Sequence, residues 1–311
     1  MDRIESTQNP RVKAAKALHT VKGRNESGMF LCEGEHMVRE AARAAGTAYA
    51  MDAAFALGSA FAVDTVFVDD TCTERFADLL AEVDAGHVYS VPGHVLAAIS
   101  TVKSPQGVAA VVRLQAPRIK TREDLGVPGV SPAAFGIAAG TEALEDDDME
   151  NGEDEALSPS IFGNRLVLLE AVQDPGNVGT ILRTMDAAGF SGAVLAPGCA
   201  DPFSPKALRA TMGSVFRVPT MQTENAAQAA SALAREGYAV IAAALDGEDF
   251  FTRGPLPDKV CLIIGNEGAG ITKETLAAAT HRYRLPMRGG AESLNAAAAA
   301  AIMIYEIAYR S

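Results

Sequence analysis

Long hydrophobic runs are missing from this sequence. The longest uncharged apolar stretch, Ala296 to Tyr305, falls far short of the roughly 18 residues that a membrane helix needs. The first residues, Met1-Asp2-Arg3-Ile4-Glu5, carry no apolar signal core. Cysteine is equally sparse. Cys32, Cys72, Cys199 and Cys261 lie far apart and form no CxxC pair, which reads as reduced thiols in a cytoplasmic, metal-free protein and argues against a zinc site. Positive charge is also in deficit, with a formal net charge of −12. That total hides an uneven distribution. Residues 142–155 hold nine acidic side chains and no basic one, and without those nine the charge is −3. Between Ser6 and Asn25 the imbalance reverses: Arg11, Lys13, Lys16, Lys22 and Arg24 meet no acid. Such an arm can bind phosphates while an acidic tract elsewhere stays in solvent, or it is simply a solvated helix face.

What is present is enough for ordinary cores: 48% of the 311 residues are hydrophobic, and the length fits two domains. Short strands are expected at Phe30–Cys32, Val63–Val68 and Val108–Leu114. Helices are expected at Glu35–Ala45 and His94–Ile99, which makes a small α/β domain. The alanine-rich piece from Gly46 to Ala62 reads as an extra helix. Four prolines, several glycines and the acidic run mark a mobile linker over 116–160. Beyond it, Leu166–Val172, Ala193–Ala196, Val240–Leu245 and Val260–Ile264 are apolar without alternation, as strands covered on both faces are. Helical segments at Val178–Ala188, Pro205–Met212, Ala226–Glu236 and Lys273–Ala279 alternate with them, which predicts a parallel sheet between helical layers.

Three loops after such strands are polar and bordered by glycine. The run Gly265-Asn266-Glu267-Gly268-Ala269-Gly270 has the order GxxGxG, not GxGxxG, it comes late in the domain, and no βαβ unit with an acidic residue about 20 positions later follows it. Asp174-Pro175-Gly176-Asn177 opens a helix, where Asp174 and Asn177 can cap free N–H groups. Two turns on, Arg183 shares a polar face with Thr180 and Thr184 on an otherwise apolar helix, as a phosphate clamp or a surface ion pair. Leu285-Pro286-Met287 leads to Glu292-Ser293-Leu294-Asn295 and then six alanines, a helix start that admits another backbone or a ligand closely.

In this order, the segments Asn177–Arg183, Ile264–Ile271 and Leu285–Met287 with Glu292–Ala297 resemble the three motifs of the SpoU (TrmH-type) RNA 2'-O-ribose methyltransferases. Pro202–Gly213, with Ser204, Lys206, Arg209 and Gly213, is also similar to that family. Asn9-Pro10-Arg11, Phe30–Gly34 and Pro105-Gln106-Gly107 resemble its substrate-binding domain, which is similar to the ribosomal-protein L30e fold. The resemblance implies an RNA-binding domain over 1–115, the acidic linker over 116–160, and a methyltransferase domain over 161–311 with a deep trefoil knot, a rare exception to unknotted topology. It implies S-adenosylmethionine held by Leu245, Gly265, Asn266, Leu285, Met287, Leu294 and Ala296, and a homodimer packed through the knot. Asn177, Arg183, Glu267, Ser293 and Asn295 match the catalytic positions. Arg11, Lys13, Arg24, Lys206 and Arg209 are the candidate RNA contacts. The acidic linker and the piece from Gly46 to Ala62 are not part of the motif pattern.

The implied reaction is methyl transfer to a ribose 2'-hydroxyl, of 23S ribosomal RNA in preference to transfer RNA. A guanidinium, with a pKa above about 12, is a poor base. Arg183 is therefore expected to bind the adjacent phosphate and stabilise the developing alkoxide, while a phosphate oxygen or water takes the proton. Glu267 is expected to orient Arg183 or Asn177, and Ser293 and Asn295 to anchor their loop. The competing classes are a non-catalytic RNA-binding protein on the same scaffold, a nucleotide-cofactor oxidoreductase, and an interaction scaffold acting through the acidic tract.

Overall fold

The computed structural model describes residues 1–46, 49–51, 55–57, 61–83, 87–114 and 163–310. The acidic tract and the linker expected over 116–160 lie outside the described residues. In the N-terminal part the strands are β1 (Asp2–Arg3), β2 (Met29–Glu33), β3 (Tyr49–Met51), β4 (Phe55–Leu57), β5 (Phe61–Asp69), β6 (His87–Val91) and β7 (Val108–Leu114). The helices there are α1 (Pro10–Ala17), α2 (Val21–Ser27), α3 (Glu35–Gly46), α4 (Ala77–Glu82) and α5 (Gly93–Ile99). Five of these strands form a mixed sheet in the order β1-β6-β5-β7-β2. Its start is written locally: Asn9 accepts a bond from the Arg11 N–H, and Pro10 occupies the first turn of α1, where its missing N–H costs nothing. The extra helix expected over Gly46–Ala62 is replaced by an antiparallel pair, β3 with β4, whose backbone register sets Tyr49 opposite Leu57 and Met51 opposite Phe55. Large residues there alternate with small ones, and that period of two outweighs the helix propensity of alanine.

The second sheet is parallel throughout. It contains β8 (Arg165–Leu169), β9 (Gly192–Leu195), β10 (Thr220–Gln222), β11 (Ala239–Asp249), β12 (Val260–Ile264) and β13 (His281–Arg284), in the order β10-β9-β8-β12-β11-β13. Helices α6 (Pro175–Ala188) and α10 (Ala296–Arg310) cover one face, and α8 (Ala226–Arg235) and α9 (Lys273–Ala278) cover the other. The strands alternate between the two layers: Val167, Leu169, Leu262 and Ile264 join the α6/α10 core, while Leu166, Leu168, Cys261 and Ile263 join the α8/α9 core. Both faces are dry, so neither shows the polar alternation of a half-exposed strand. Burial also pushes the Cys261 thiol up to about 12, so it stays protonated. The expected strand at Val240–Leu245 is longer and broken. Its register against β13 shifts between Ala243 and Glu248, and Leu245 in that irregular stretch is 67% exposed. No helix of the described residues is long and apolar enough to cross a membrane.

The two sheets are joined by a shared core. Helix α7 (Pro205–Thr211) and the turn after it send Leu208, Val215 and Phe216 into the N-terminal cluster with Phe30, Phe61 and Val112. Phe30 lies 4.8 Å from Phe203, and Phe61 meets Phe216 edge-on at 5.0 Å between ring centroids. Around this apolar seam run ion pairs: Arg24 with Asp201 at 2.6 Å, and Arg217 with both Asp186 and Glu40. Because Phe216 is fully packed by residues of both parts, Phe216→Ala is expected to destabilise the whole chain by about 3–5 kcal/mol. Equilibrium denaturation would show this as a single shifted transition; a loss below about 1 kcal/mol would mean that the seam relaxes around the cavity.

Candidate active site

The central strands β8 and β12 are neighbours, yet the chain leaves β8 toward β9 and leaves β12 toward β13. A crevice opens where connections diverge in this way, beyond the strand C-termini. Three loops meet there: the ones after β8, β12 and β13. The first turns sharply at Ala171, which adopts a left-handed φ of 53°. This conformation is uncommon for a residue with a side chain. It is held by the Asn266 amide, which donates to the Ala171 carbonyl at 2.8 Å. The Asn266 Oδ1 atom in turn accepts from the N–H groups of Gly268 and Ala269. Gly265 is required in this loop: a Cβ there would stand 2.4 Å from the carbonyl carbon of Gly270.

Glu267 ties the first two loops together. Its carboxylate accepts from the Asn177 amide at 2.8 Å and from the backbone N–H groups of Gln173 and Asp174. The Asn177 Oδ1 atom accepts from the Asn295 amide at 3.0 Å. One chain of polar side chains, Asn295–Asn177–Glu267, therefore spans all three loops. Asn295 also caps α10 through the Ala297 and Ala298 N–H groups, and Asp174 caps α6 through Gly176 and Asn177. Both helices thus start in the crevice and present their positive ends there. Burial pushes the Glu267 carboxyl up, but the bonds from Asn177 and the backbone more than offset this, and its pKa lies below the ordinary 4.5. Asp174 is also lowered, chiefly by its bond from Lys206 at 2.7 Å.

Arg183 is exposed about two turns along α6 and makes no hydrogen bond or ion pair among the described residues. Of the two partners expected for Glu267, the structure pairs it with Asn177, leaving the guanidinium free. Ser293 is exposed and likewise has no side-chain partner among the described residues. Around the crevice, Leu245 and Leu294 are 67% and 39% exposed, whereas Leu285 and Ala296 are buried and Met287 packs at the core edge. Among the described residues the backbone of 286–294 makes no internal hydrogen bond.

Both parts of the chain are similar to known proteins. Residues 164–305 match the model of the SpoU rRNA Methylase family, and residues 9–110 match an MRM3-like substrate binding domain. The chain is 31% identical over 308 residues, 99% of each protein, to 23S rRNA (guanosine(2553)-2'-O)-methyltransferase RlmP of Bacillus subtilis. The chain belongs to the SpoU methylase family. Among solved structures, an AdoMet-bound rRNA methyltransferase from Sinorhizobium meliloti matches with a TM-score of 0.71 and 29% identity, over 99% of this chain and 97% of that one. An RNA methyltransferase of the TrmH family from Porphyromonas gingivalis, described as putative, matches with a TM-score of 0.70 and 27% identity, over 98% and 99% of the two chains.

Within this SpoU chain the five candidate RNA contacts have different fates. Lys13 is exposed, and Arg11 lies over the Tyr89 ring at 5.1 Å. Lys206 pairs with Asp174, and Arg209 donates to the Thr101 hydroxyl at 2.9 Å. Arg24 needs a correction. It is 5% exposed, pairs with Asp201 and donates to the Leu18 carbonyl at 2.7 Å, so it joins the two parts of the chain and does not face a phosphate. Charge pattern alone could not separate it from the solvated lysines nearby. A second residue escaped the sequence reading. Glu170, 7% exposed at the end of β8, accepts from the Thr272 N–H and from the hydroxyls of Thr272 and Thr275, and so anchors the far end of the Glu267 loop. Its only sequence signal is an acid closing an apolar strand. No group of three or more His, Cys, Asp or Glu among the described residues is placed to hold a metal ion.

The lowered pKa of Glu267 sets the sign of a pH effect. The carboxyl's contribution to stability is complete above 4.5, its unfolded value, and is lost as pH falls through the lower folded value. The melting-temperature gap between wild type and Glu267→Gln should therefore be largest near neutrality and close on acidification below 4.5. A gap that stays constant across that range would show that the carboxylate is not the form held by Asn177.

Proposed function

We propose that this chain transfers the methyl group of S-adenosylmethionine to a ribose 2'-hydroxyl of 23S ribosomal RNA. Membership of the SpoU family supports the chemistry, and the end-to-end likeness to a 23S rRNA 2'-O-methyltransferase supports the substrate. The observation that carries the reading is the polar chain Asn295–Asn177–Glu267 across the crevice, with the exposed, unneutralised Arg183 farther along the helix that carries Asn177. Residues 1–115 present the RNA and residues 161–311 carry out the transfer, in a cytoplasmic protein.

The crevice suits a nucleoside-bearing cofactor. The exposed aliphatic side chains of Leu245 and Leu294 offer apolar cover, and the unused backbone groups of 286–294 offer donors and acceptors for a base and a ribose. Gly265, Asn266, Leu285, Met287 and Ala296 complete the lining. Bound there, S-adenosylmethionine supplies an electrophilic methyl on a good sulfonium leaving group. The chain's own residues do the rest. Arg183 grips the phosphate next to the target ribose and stabilises charge developing on the 2'-oxygen. The proton leaves to a phosphate oxygen or water, because the guanidinium cannot accept it. Glu267, fully ionised, holds Asn177 and the loop backbone so that the hydroxyl is approached in one geometry. Ser293, on the same loop as Asn295, faces the nucleotide.

Two further features belong to this reading. The C-terminal segment is threaded as a trefoil knot, which is supported by a path from β13 at the sheet edge back to α10 packed on α6 in the middle. A second copy covers the outer face of α10, where Ile302, Tyr305 and Tyr309 are 40%, 43% and 73% exposed in a single stripe.

The test is transfer of labelled methyl from S-adenosylmethionine to a 23S rRNA transcript, with the modified nucleoside identified by mass. A 2'-O-methylated nucleoside is expected. Arg183→Ala should lower kcat by about 10²–10³, with cofactor affinity kept, and Arg183→Lys should recover little of it because it lacks the fork. Full activity of the lysine variant would remove the bidentate role; tight cofactor binding with no transfer to any RNA would favour a non-catalytic RNA-binding protein.

A further inference from the structure

We infer that Glu33, 150 residues away in sequence from Arg183, is a positioning residue that acts through Thr101 to aim Arg209 at an RNA phosphodiester. This rests on the reading of the chain as an RNA-binding methyltransferase.

Glu33 ends β2 in the N-terminal sheet. Its carboxylate accepts from the Thr101 N–H at 3.1 Å and from the hydroxyls of Ser100 and Thr101. These bonds hold the turn after α5. The Thr101 hydroxyl has one proton, and it is given to Glu33. Toward Arg209 the same oxygen can only accept, and it does so from Nη1 at 2.9 Å. Direction is thus imposed along the relay: a carboxylate orients a hydroxyl, and the hydroxyl orients a guanidinium. Arg209 is exposed and makes no ion pair among the described residues, so it is steered but not neutralised. An arginine held only by a neutral oxygen keeps its charge and most of its donors for an anion.

The same helix reaches the crevice. One turn before Arg209, Lys206 pairs with Asp174, the cap of α6. Helix α7 also lies almost backbone-to-backbone on α6, because a Cβ on Gly179 would meet the Ala207 carbonyl oxygen at 2.5 Å and the Ala210 Cβ at 2.6 Å. Arg183 stands one turn beyond Gly179 on that helix face. Two unneutralised guanidiniums therefore sit on two helices in contact, one of them aimed by the N-terminal sheet. The geometry fits successive phosphates of one RNA strand entering between the two parts of the chain.

The experiment measures binding of a 23S rRNA transcript to the full chain without cofactor, across a salt series. Arg209→Ala should weaken binding about tenfold and reduce the log–log salt slope by about one. Thr101→Val and Glu33→Gln should shift both quantities in the same direction by less, and Thr101→Ser, which keeps the hydroxyl, should restore wild-type values. The double variant Thr101→Val with Arg209→Ala should bind no worse than Arg209→Ala alone, since both remove one contact. S-adenosylmethionine affinity and melting temperature serve as controls and should stay near wild type in Thr101→Val. Additive losses, no change of salt slope in Thr101→Val, or failure of Thr101→Ser to rescue would overturn the relay. If the wild type itself does not bind the transcript, the RNA reading falls and the relay with it; if only the variants match the wild type, the relay alone falls.

Discussion

The bond between the Asn177 amide and the Glu267 carboxylate, continued from Asn177 to Asn295, joins the third loop to the two that Asn266 and Glu170 also hold together. Each loop alone is a glycine-bordered turn at a strand end. Glu267 gathers the backbone N–H groups of the first loop as well as its asparagine, and Asn177 passes the connection to Asn295 at the start of α10. Charge makes this possible: an ionised carboxylate can accept from several donors at once, and those donors keep it ionised. Nothing else on the third loop fills that role, because the backbone of 286–294 makes no internal hydrogen bonds among the described residues. The same openness that makes that loop dependent on Asn295 leaves its polar groups available to a ligand.

Behind this polar chain stand rigid supports. Asn266 fixes the left-handed turn at Ala171, and Glu170 anchors the loop's far end through Thr272 and Thr275. The six alanines after Asn295 find a use that the sequence left open. Ala296, Ala297 and Ala300 are buried in the α6/α10 core, so the close approach they permit is, at least in part, between two helices of the same chain.

The N-terminal part is not a freely tethered module. Leu208, Val215 and Phe216 leave the parallel-sheet half to complete the other half's core, and Arg24 and Arg217 tie the edges of that seam. Helix α7 thus belongs to both halves: its apolar face closes the N-terminal core, and its polar face carries Lys206 toward Asp174 and Arg209 toward Thr101. Movement of the N-terminal sheet cannot leave the crevice untouched, because close-packed interiors transmit displacement.

Much of this was readable in the chain. The unalternating runs Leu166–Leu169 and Val260–Ile264 announced strands buried on both faces, and three ordered loop motifs marked the crevice and named Asn177, Glu267 and Asn295. These signals are local, since period, caps and glycine positions act over a few residues. What lay beyond reach was every choice made between distant residues. Arg24 and Lys13 look alike in a basic arm, yet Asp201, far along the chain, buries one of them. Glu170 and Glu33 look like ordinary surface acids, and only the folded chain brings threonines to them. The alanine-rich piece at Gly46–Ala62 shows the reverse failure, where composition suggested a helix and pairing with a neighbour made strands. The sequence by itself determined the layers, the loops and the family. Only the tertiary structure decided which charges are spent inside the protein and which remain exposed without a partner, because a side chain's partner is set by what folding brings within about 3 Å of it, and the sequence states no such distance.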